Sequence, residues 1–195
     1  DGVDTLDYNG GTTATAVHAA SITGFEVISF SAATTQDLAV FTGTTFTTID
    51  STTSGNNVVT NASAAVTDIE NTTTAGNLTF TRLVDSSTNS ITVSAQDDVA
   101  GSDGATAFGT LSIANEETVT LVSGSNAAET LTITTLTATD ATSVTMTGTA
   151  NVAVTGNVTS AVNLATVDAS GVAGTAEFHA TGATANITAT ASTGA

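Results

Sequence analysis

The stretch LATVDASGVAG at residues 164–174 has two close counterparts earlier in the chain, FTTIDSTTSG at 46–55 and VTDIENTTTAG at 66–76. Each stretch has an apolar residue, two spacers, a second apolar residue and one acid, followed by small polar residues and a glycine. A motif that recurs in this way is typical of repeat proteins, in which stacked units bury together the apolar face that one unit cannot bury alone.

Seven acids occupy the same place in this motif or in degenerate copies of it, at separations that scatter around roughly 20–25 residues. They are Glu26, Asp50, Glu70, Asp85, Glu117, Asp140 and Asp168. Short runs in which apolar residues alternate with polar ones follow most of these acids, and this period of two is typical of β-strands. The predicted strands are Val27–Phe30, Val58–Thr60, Leu78–Phe80, Ile91–Val93, Val119–Leu121, Val144–Met146 and Ala176–Phe178.

The composition agrees with an all-β chain. Hydrophobic residues make up 40% of the sequence, aromatic residues only 4%, and proline is absent. Threonine and valine are β-branched and favour strands. We therefore predict a parallel β-solenoid of short Thr/Val-rich strands, with a β-sandwich as the alternative. Residues 1–195 are expected to form one solenoid segment of a longer protein, with a subdivision near residues 97–108 as an alternative.

The charge balance restricts the partners of the protein. The chain has 18 Asp and Glu residues, one Arg and no Lys. Such a surface repels nucleic acid and anionic lipid headgroups, and it needs cations in order to lie against another anionic surface. Divalent metal is therefore the expected partner. No run approaches the roughly 18 apolar residues of a membrane span, and the absence of cysteine excludes disulfides and thiolate metal sites.

Two glycine-bearing acidic stretches are the candidate calcium sites, because calcium prefers carboxylate, carbonyl and amide oxygens in loops. The first, DGVDTLDYNGG, offers Asp1, Asp4 and Asp7. The second, QDDVAGSDG, offers Asp97, Asp98 and Asp103. In the alternative interpretation these are solvated acidic turns. The recurring acids likewise have two interpretations, since each can cap a turn by accepting backbone N–H groups or contribute to a calcium-bridged ladder.

The sequence does not predict an enzyme. His18 and His179 stand in Ala- and Thr-rich surroundings that do not indicate a catalytic triad. An extracellular β-helical hydrolase that binds sugars is disfavoured because the chain has one Tyr and no Trp. A threonine patch of the kind found on ice-binding proteins is a further alternative. Its members would be Thr132, Thr134, Thr137, Thr139, Thr145, Thr147 and Thr149.

The stretches FTTIDSTTSGNNVVT, ITGFEVISF, IANEETVTL and LATVDASGVAG resemble the repeats of proteobacterial surface-layer proteins secreted by the type I route. The opening DGVDTLDYNGG resembles the calcium-binding nonapeptide repeat GGxGxDxLx of such RTX-like proteins, but it keeps only Gly2 of the glycines before Asp4. The resemblance implies an extracellular, calcium-stabilised lattice at the cell surface, built by self-assembly, with surface polysaccharide bound through another domain. Related repeats occur in type I-secreted adhesins, so an adhesin stalk is the alternative.

Overall fold

The chain forms a β-solenoid in a computed structural model that describes residues 2–9, 13–72, 76–95, 104–159, 162–180 and 188–192. About seven coils are stacked, and each coil contributes one strand to each of two parallel sheets. The predicted fold class is therefore confirmed, and the sandwich alternative is wrong because all the strand pairs of the described residues are parallel.

Strands are numbered in chain order. In the described residues, sheet A contains β1 Thr5–Tyr8, β2 Val27–Phe30, β4 Thr48–Ser51, β6 Asp68–Asn71, β8 Ser90–Ala95, β10 Thr118–Val122, β12 Ser143–Gly148, β14 Thr166–Val172 and β16 Thr188–Thr190. Sheet B contains β3 Thr34–Asp37, β5 Asn56–Ala62, β7 Asn77–Arg82, β9 Thr106–Ile113, β11 Leu131–Thr137, β13 Val152–Thr159 and β15 Ala176–His179. A helix, α1 Ala16–Ala19, and a 3₁₀ turn at Leu38–Val40 complete the described elements.

The length of a coil varies along the stack. Thr48 pairs with Asp68, 20 residues later, whereas Leu78 pairs with Leu111, 33 residues later. The longest coil contains residues 96–103, which lie outside the described residues. Both sheets continue on either side of this segment, because β8 pairs with β6 and β10 while β9 pairs with β7 and β11.

Apolar side chains from the two sheets meet in one core between them. Rows of paired residues run along the stack, so each inward side chain packs on the equivalent side chain of the next coil. One such row consists of Ile28, Ile49, Ile69, Val93, Leu121 and Met146. Burying an aliphatic side chain of this size contributes about 1.5–3 kcal/mol to the stability of the fold. Each coil that adds a side chain to the row adds a contribution of this size.

The recurring motif has the inward face that its pattern indicates. Both apolar residues of the three copies are buried: Phe46 with Ile49, Val66 with Ile69, and Leu164 with Val167. The second apolar residue of each pair lies within a sheet A strand. The first lies in the connection from sheet B that precedes this strand, and we call such connections between the two sheets corners.

All seven predicted strands lie within observed strands, but they are not equivalent elements. Those at 27–30, 91–93, 119–121 and 144–146 belong to sheet A, whereas those at 58–60, 78–80 and 176–178 belong to sheet B. Each coil has two strands of similar composition, and the sequence pattern does not distinguish between them.

Candidate functional site

The predicted calcium residues fall into two groups. Asp1, Asp97, Asp98 and Asp103 lie outside the described residues. Asp4 and Asp7 lie at the outer strand of sheet A, where both are exposed. The backbone N–H of Asp4 donates to Glu26 Oε2 at 2.9 Å, and the hydroxyl of Ser31 donates to Asp7 Oδ1 at 2.7 Å. The two aspartates are therefore part of the contact between the first two strands of the sheet.

The seven recurring acids do not form one continuous ladder. Only Asp50 and Glu70 are direct partners in adjacent strands. Asp50 Oδ2 accepts a hydrogen bond from the hydroxyl of Ser29 at 2.9 Å, so a hydroxyl separates this pair from the next acid along the row, Asp7. Like charges at the spacing of neighbouring strands repel, and the alternation with serine limits that cost.

Asp168 forms a local hydrogen bond of the kind expected of a recurring acid. Its Oδ1 accepts the backbone N–H of Ser170 at 2.9 Å. The hydrogen bonds from Ser170 lower the pKa of the Asp168 carboxyl below its ordinary value. Asp168 therefore makes the expected local bond to a backbone N–H, but this bond lies within β14, at an irregularity in its register with β12, and not in a turn.

Three of the recurring acids line one cleft at the corners that lead from sheet B to sheet A. The cleft has a volume of about 440 Å³, and its lining residues come from four successive corners. They are Asp85, Ser86, Ser87, Glu117, Asp140, Thr142 and Asn163. Within the described residues, Glu117 Oε2 is shielded from solvent and has no hydrogen-bond partner. We call this surface the acidic cleft.

The one arginine of the chain, Arg82, lies three residues before Asp85 of the cleft and does not line it. The Arg82 side chain is 2% exposed and forms an ion pair with Glu116, whose side chain is fully buried. Arg82 Nε donates to Glu116 Oε1 at 2.6 Å and Nη2 donates to Oε2 at 3.0 Å. The guanidinium thus binds the carboxylate in the bidentate geometry that gives the strongest Arg–carboxylate ion pairs.

The remaining N–H groups of Arg82 bind backbone carbonyls of the preceding corner and of the first residue of β8. Nη1 donates to the carbonyls of Ser63 at 3.0 Å and Val66 at 2.5 Å, and Nη2 also donates to the carbonyl of Ser90 at 3.0 Å. All five guanidinium donors are therefore used. Because Ser63, Ser90 and Glu116 belong to three successive coils, this cluster, which we call the arginine clamp, ties those coils together.

The fold explains why a charged residue occupies this position. Neighbouring corners bury an apolar side chain against the core, as Val66, Ala141 and Leu164 do. The corner after Arg82 exposes its apolar residues instead, since Leu83 is 55% and Val84 69% exposed. The guanidinium lies between Val66 and Glu116, 4.8 Å from the centre of the Phe80 ring. It therefore fills the inner side of this corner, where the neighbouring corners have a buried apolar side chain.

The clamp and the cleft are electrostatically linked. Burial raises the pKa of Glu116 above its ordinary value, and the hydrogen bonds and charge of Arg82 offset this only in part. The nearby carboxylates of Glu117 and Asp85 raise the pKa of Glu116 further. Any charge that neutralises the cleft therefore also favours the ionised state of Glu116.

Calcium can be tested against this arrangement of oxygens. Calcium takes about 6–8 oxygen ligands. Within the described ranges, no three Asp, Glu, His or Cys side chains come close enough together to hold a metal ion, and this includes the acids of the cleft. The described residues therefore offer only partial ligand sets: Asp50 beside Glu70, and the separated carboxylates of the acidic cleft.

The other candidate residues are placed apart from the clamp. His179 Nε2 lies 2.8 Å from Glu177 Oε1 on β15, a pair that the sequence analysis missed although residues i and i+2 of a strand share a face. His18 Nδ1 lies 3.2 Å from the Thr15 hydroxyl. The proposed threonine patch is wrong as a unit, because Thr132, Thr134 and Thr137 belong to sheet B whereas Thr145 and Thr147 belong to sheet A.

Sequence reasoning missed the clamp, although one signal was present. In the copy of the motif that contains Glu117, the residue before the acid is Glu116, where most copies have an apolar residue. A charge at a core position requires a partner, and the chain has only one Arg to supply it. The two residues are 34 positions apart, across the longest coil, and no local pattern reveals that distance.

Comparisons with known proteins do not identify the chain: no family model, curated protein or solved structure matches it. In the part of the chain that the structure describes, no helix is both long enough and apolar enough to cross a membrane. The fold and the chemistry of its residues are therefore the basis for a functional proposal.

Proposed function

We propose that this chain is a structural segment of a bacterial surface layer, an extracellular lattice that assembles from copies of one protein and is stabilised by calcium. The observation that carries the proposal is that the one Arg of the chain is buried. Its guanidinium is enclosed in the arginine clamp, and there is no Lys. The outer surface therefore has no permanently positive side chain, whereas it displays many carboxylates.

Two such surfaces can approach each other only with cations between them. Two anionic faces repel, and the energy of that repulsion is reduced by screening or by direct bridging. Calcium suits bridging because it accepts many oxygen ligands in flexible geometry. The partial ligand sets on one copy, such as the acidic cleft, are then completed by carboxylates or carbonyls of a second copy.

The fold also suits a structural role. A stack of coils repeats the same backbone hydrogen bonds along its length, and stacked repeats present extended, regular surfaces for contact. The resemblance of the recurring motif to surface-layer repeats supports the same role. The acidic cleft has no aromatic lining residue, which does not favour the alternative of a sugar-binding hydrolase.

The test is a calcium titration of the purified chain, from excess chelator to millimolar calcium. Circular dichroism reports folding, light scattering reports particle size, and electron microscopy reports order. We expect a folded chain at the start and ordered sheets as calcium rises, with magnesium less effective at equal concentration because it gives up its water ligands reluctantly. A folded chain that stays monomeric in millimolar calcium would contradict the lattice role and favour the adhesin stalk.

A pair of variants with equal charge change locates the bridging acids. Asp85→Asn, Glu117→Gln and Asp140→Asn together neutralise the acidic cleft. The control neutralises Asp37, Asp168 and Glu177, whose carboxylates already accept bonds within the chain. If the cleft participates in bridging, the first triple variant needs more calcium to assemble than the control does. Equal requirements would show that only net charge matters.

A further inference from the structure

The arginine clamp holds the side chain that precedes a bond unique in the chain. Proteases of the trypsin class recognise a Lys or Arg side chain in their specificity pocket and cut the bond that follows it. Arg82 is the one Lys or Arg among 195 residues, so the bond between Arg82 and Leu83 is the one such bond available to them. The position of this residue decides whether these proteases can cut the chain.

The turn after Arg82 has the features of a cleavable loop. Leu83 and Val84 are more than half exposed, and Asp85 and Ser87 are also exposed. Exposed loop tips with small or polar residues are the preferred places for proteolytic nicking. A basic residue within this turn would therefore be readily cut.

Arg82, the residue that such a protease recognises, is buried. Its five guanidinium donors bind Glu116 and the carbonyls of Ser63, Val66 and Ser90. The backbone is held as well, because the N–H of Leu83 donates to the carbonyl of Ala62 at 2.8 Å and the N–H of Arg82 donates to Asn115 Oδ1 at 3.3 Å. A protease must separate these contacts before the bond can enter its active site.

We propose that the arginine clamp is a conformational latch that protects the chain from Arg-directed proteases, and that local opening of this corner controls cleavage. The closed latch hides the side chain that the protease reads, although the neighbouring turn is exposed. Opening requires the corner after β7 to leave Glu116 and the carbonyls of the preceding corner, while the strands on both sides remain paired. Such sub-global opening has a lower free energy than unfolding of the whole stack.

The experiment is limited digestion of the full chain with trypsin, in which a single cut yields two fragments. The reference is the same chain unfolded in urea and then diluted into protease. We expect the folded chain to be cut roughly a thousandfold more slowly than this reference, because the rate of cleavage follows the population of the open state. Below the unfolding transition, the cleavage rate should depend only weakly on urea, as expected for local opening that exposes little surface.

Three variants make the test specific. Ser87→Arg places a basic residue in the exposed turn and should be cut quickly, which shows that the protease reaches this turn. Glu116→Gln removes the charge partner of Arg82 and should accelerate cleavage after Arg82 roughly a hundredfold or more. The matched control Glu117→Gln removes a neighbouring carboxylate that does not bind Arg82. Because the loss of its charge favours the ionised state of Glu116, this variant should not accelerate cleavage after Arg82.

Circular dichroism establishes that each variant is folded. If Glu116→Gln does not fold, Glu116→Asp replaces it, because that variant keeps the charge but shortens its reach and should give an intermediate rate. The proposal is overturned if the folded chain is cut after Arg82 as fast as the Ser87→Arg variant is cut after its introduced basic residue. It is also overturned if cleavage follows the urea dependence of global unfolding, or if Glu116→Gln and Glu117→Gln have equal rates.

Discussion

At the scale of single residues, Arg82 and Glu116 respond differently to burial. A guanidinium remains charged at any accessible pH, whereas a carboxylate can bind a proton and become neutral. Burial therefore affects the protonation of Glu116, and the pKa of that carboxyl is raised. The ion pair holds the corners in register, but its net contribution to stability is limited by the desolvation of both charges.

The raised pKa of Glu116 predicts a pH dependence with a definite sign. The folded chain binds this proton more tightly than the unfolded chain, so the stabilisation is fully present below the unfolded pKa and is lost as pH rises through the folded pKa. We compare the unfolding free energy of the natural chain with that of Glu116→Gln. The natural chain's value minus the variant's should shrink as pH rises above about 4.5, the ordinary pKa of a Glu carboxyl. Urea titrations at several pH values measure this difference.

The comparison with Gln removes the contribution of the other carboxylates, which titrate in both chains. If the difference in unfolding free energy grew with pH instead, the attraction of Arg82 would outweigh the cost of burial and the pKa of Glu116 would be depressed. Glu177→Gln is the control, since its carboxylate lies on β15 against His179 and makes no contact with the guanidinium.

At the scale of elements, the corners between sheet A and sheet B set how closely coils stack. Gly148 ends β12 with φ of 123°, a conformation that side chains rarely adopt. A Cβ at Gly148 would also meet the backbone and hydroxyl of Ser123 in the preceding coil. The Ser123 hydroxyl is in turn bonded to Ala150, donating to its carbonyl at 3.0 Å and accepting its N–H at 3.1 Å.

Gly148→Ala should therefore destabilise the stack by about 1–3 kcal/mol, because it combines backbone strain with loss of close approach. The matched control is Gly104→Ala, because a Cβ at Gly104 meets no atom of the described residues within 4 Å. We expect that control to change the unfolding free energy by less than about 1 kcal/mol. Thermal and urea unfolding of both variants measure the contrast, and equal losses would show that the corner at Gly148 is not tightly packed.

The sequence predicted those parts of the fold that depend on local periodicity. The buried pairs Phe46 with Ile49 and Leu164 with Val167 follow from apolar residues three apart, where a corner leads into a strand. The assignment of strands to two sheets could not be predicted, because coil lengths from 20 to 33 residues are set by the pairing of distant strands. For the same reason, Thr137 and Thr145 are near in sequence but lie in different sheets.

The candidate site was predicted only in part. Asp85, Glu117 and Asp140 were aligned by motif, and they line one cleft. The alignment placed Glu26 and Asp50 in equivalent positions, but the observed partner of Asp50 in β2 is Ser29. Inter-strand register determines these pairings, and a one- or two-residue change in a corner shifts it without altering the composition. The contact between Arg82 and Glu116 depends on the same long-range register.

At the scale of the whole molecule, the net charge of −17 acts on a stack that places some acids in adjacent strands, as with Asp50 and Glu70. A high net charge keeps copies apart in solution but destabilises the compact state through self-repulsion. Since the chain has one buried Arg and no Lys, nearly all compensation must come from ions in the solvent.

Salt should therefore stabilise this protein more than it stabilises an ordinary domain. Raising NaCl from about 10 mM to about 0.5 M shortens the screening length several-fold, and we expect the melting temperature to rise by roughly 5 °C or more. Differential scanning calorimetry at constant pH measures the shift. Melting temperatures measured in calcium and in NaCl at equal ionic strength separate the two effects of cations. A higher melting temperature in calcium indicates binding by carboxylates, and equal melting temperatures indicate screening alone. A melting temperature that did not respond to salt would contradict the role of self-repulsion, because the surface carboxylates would then already be compensated within the fold.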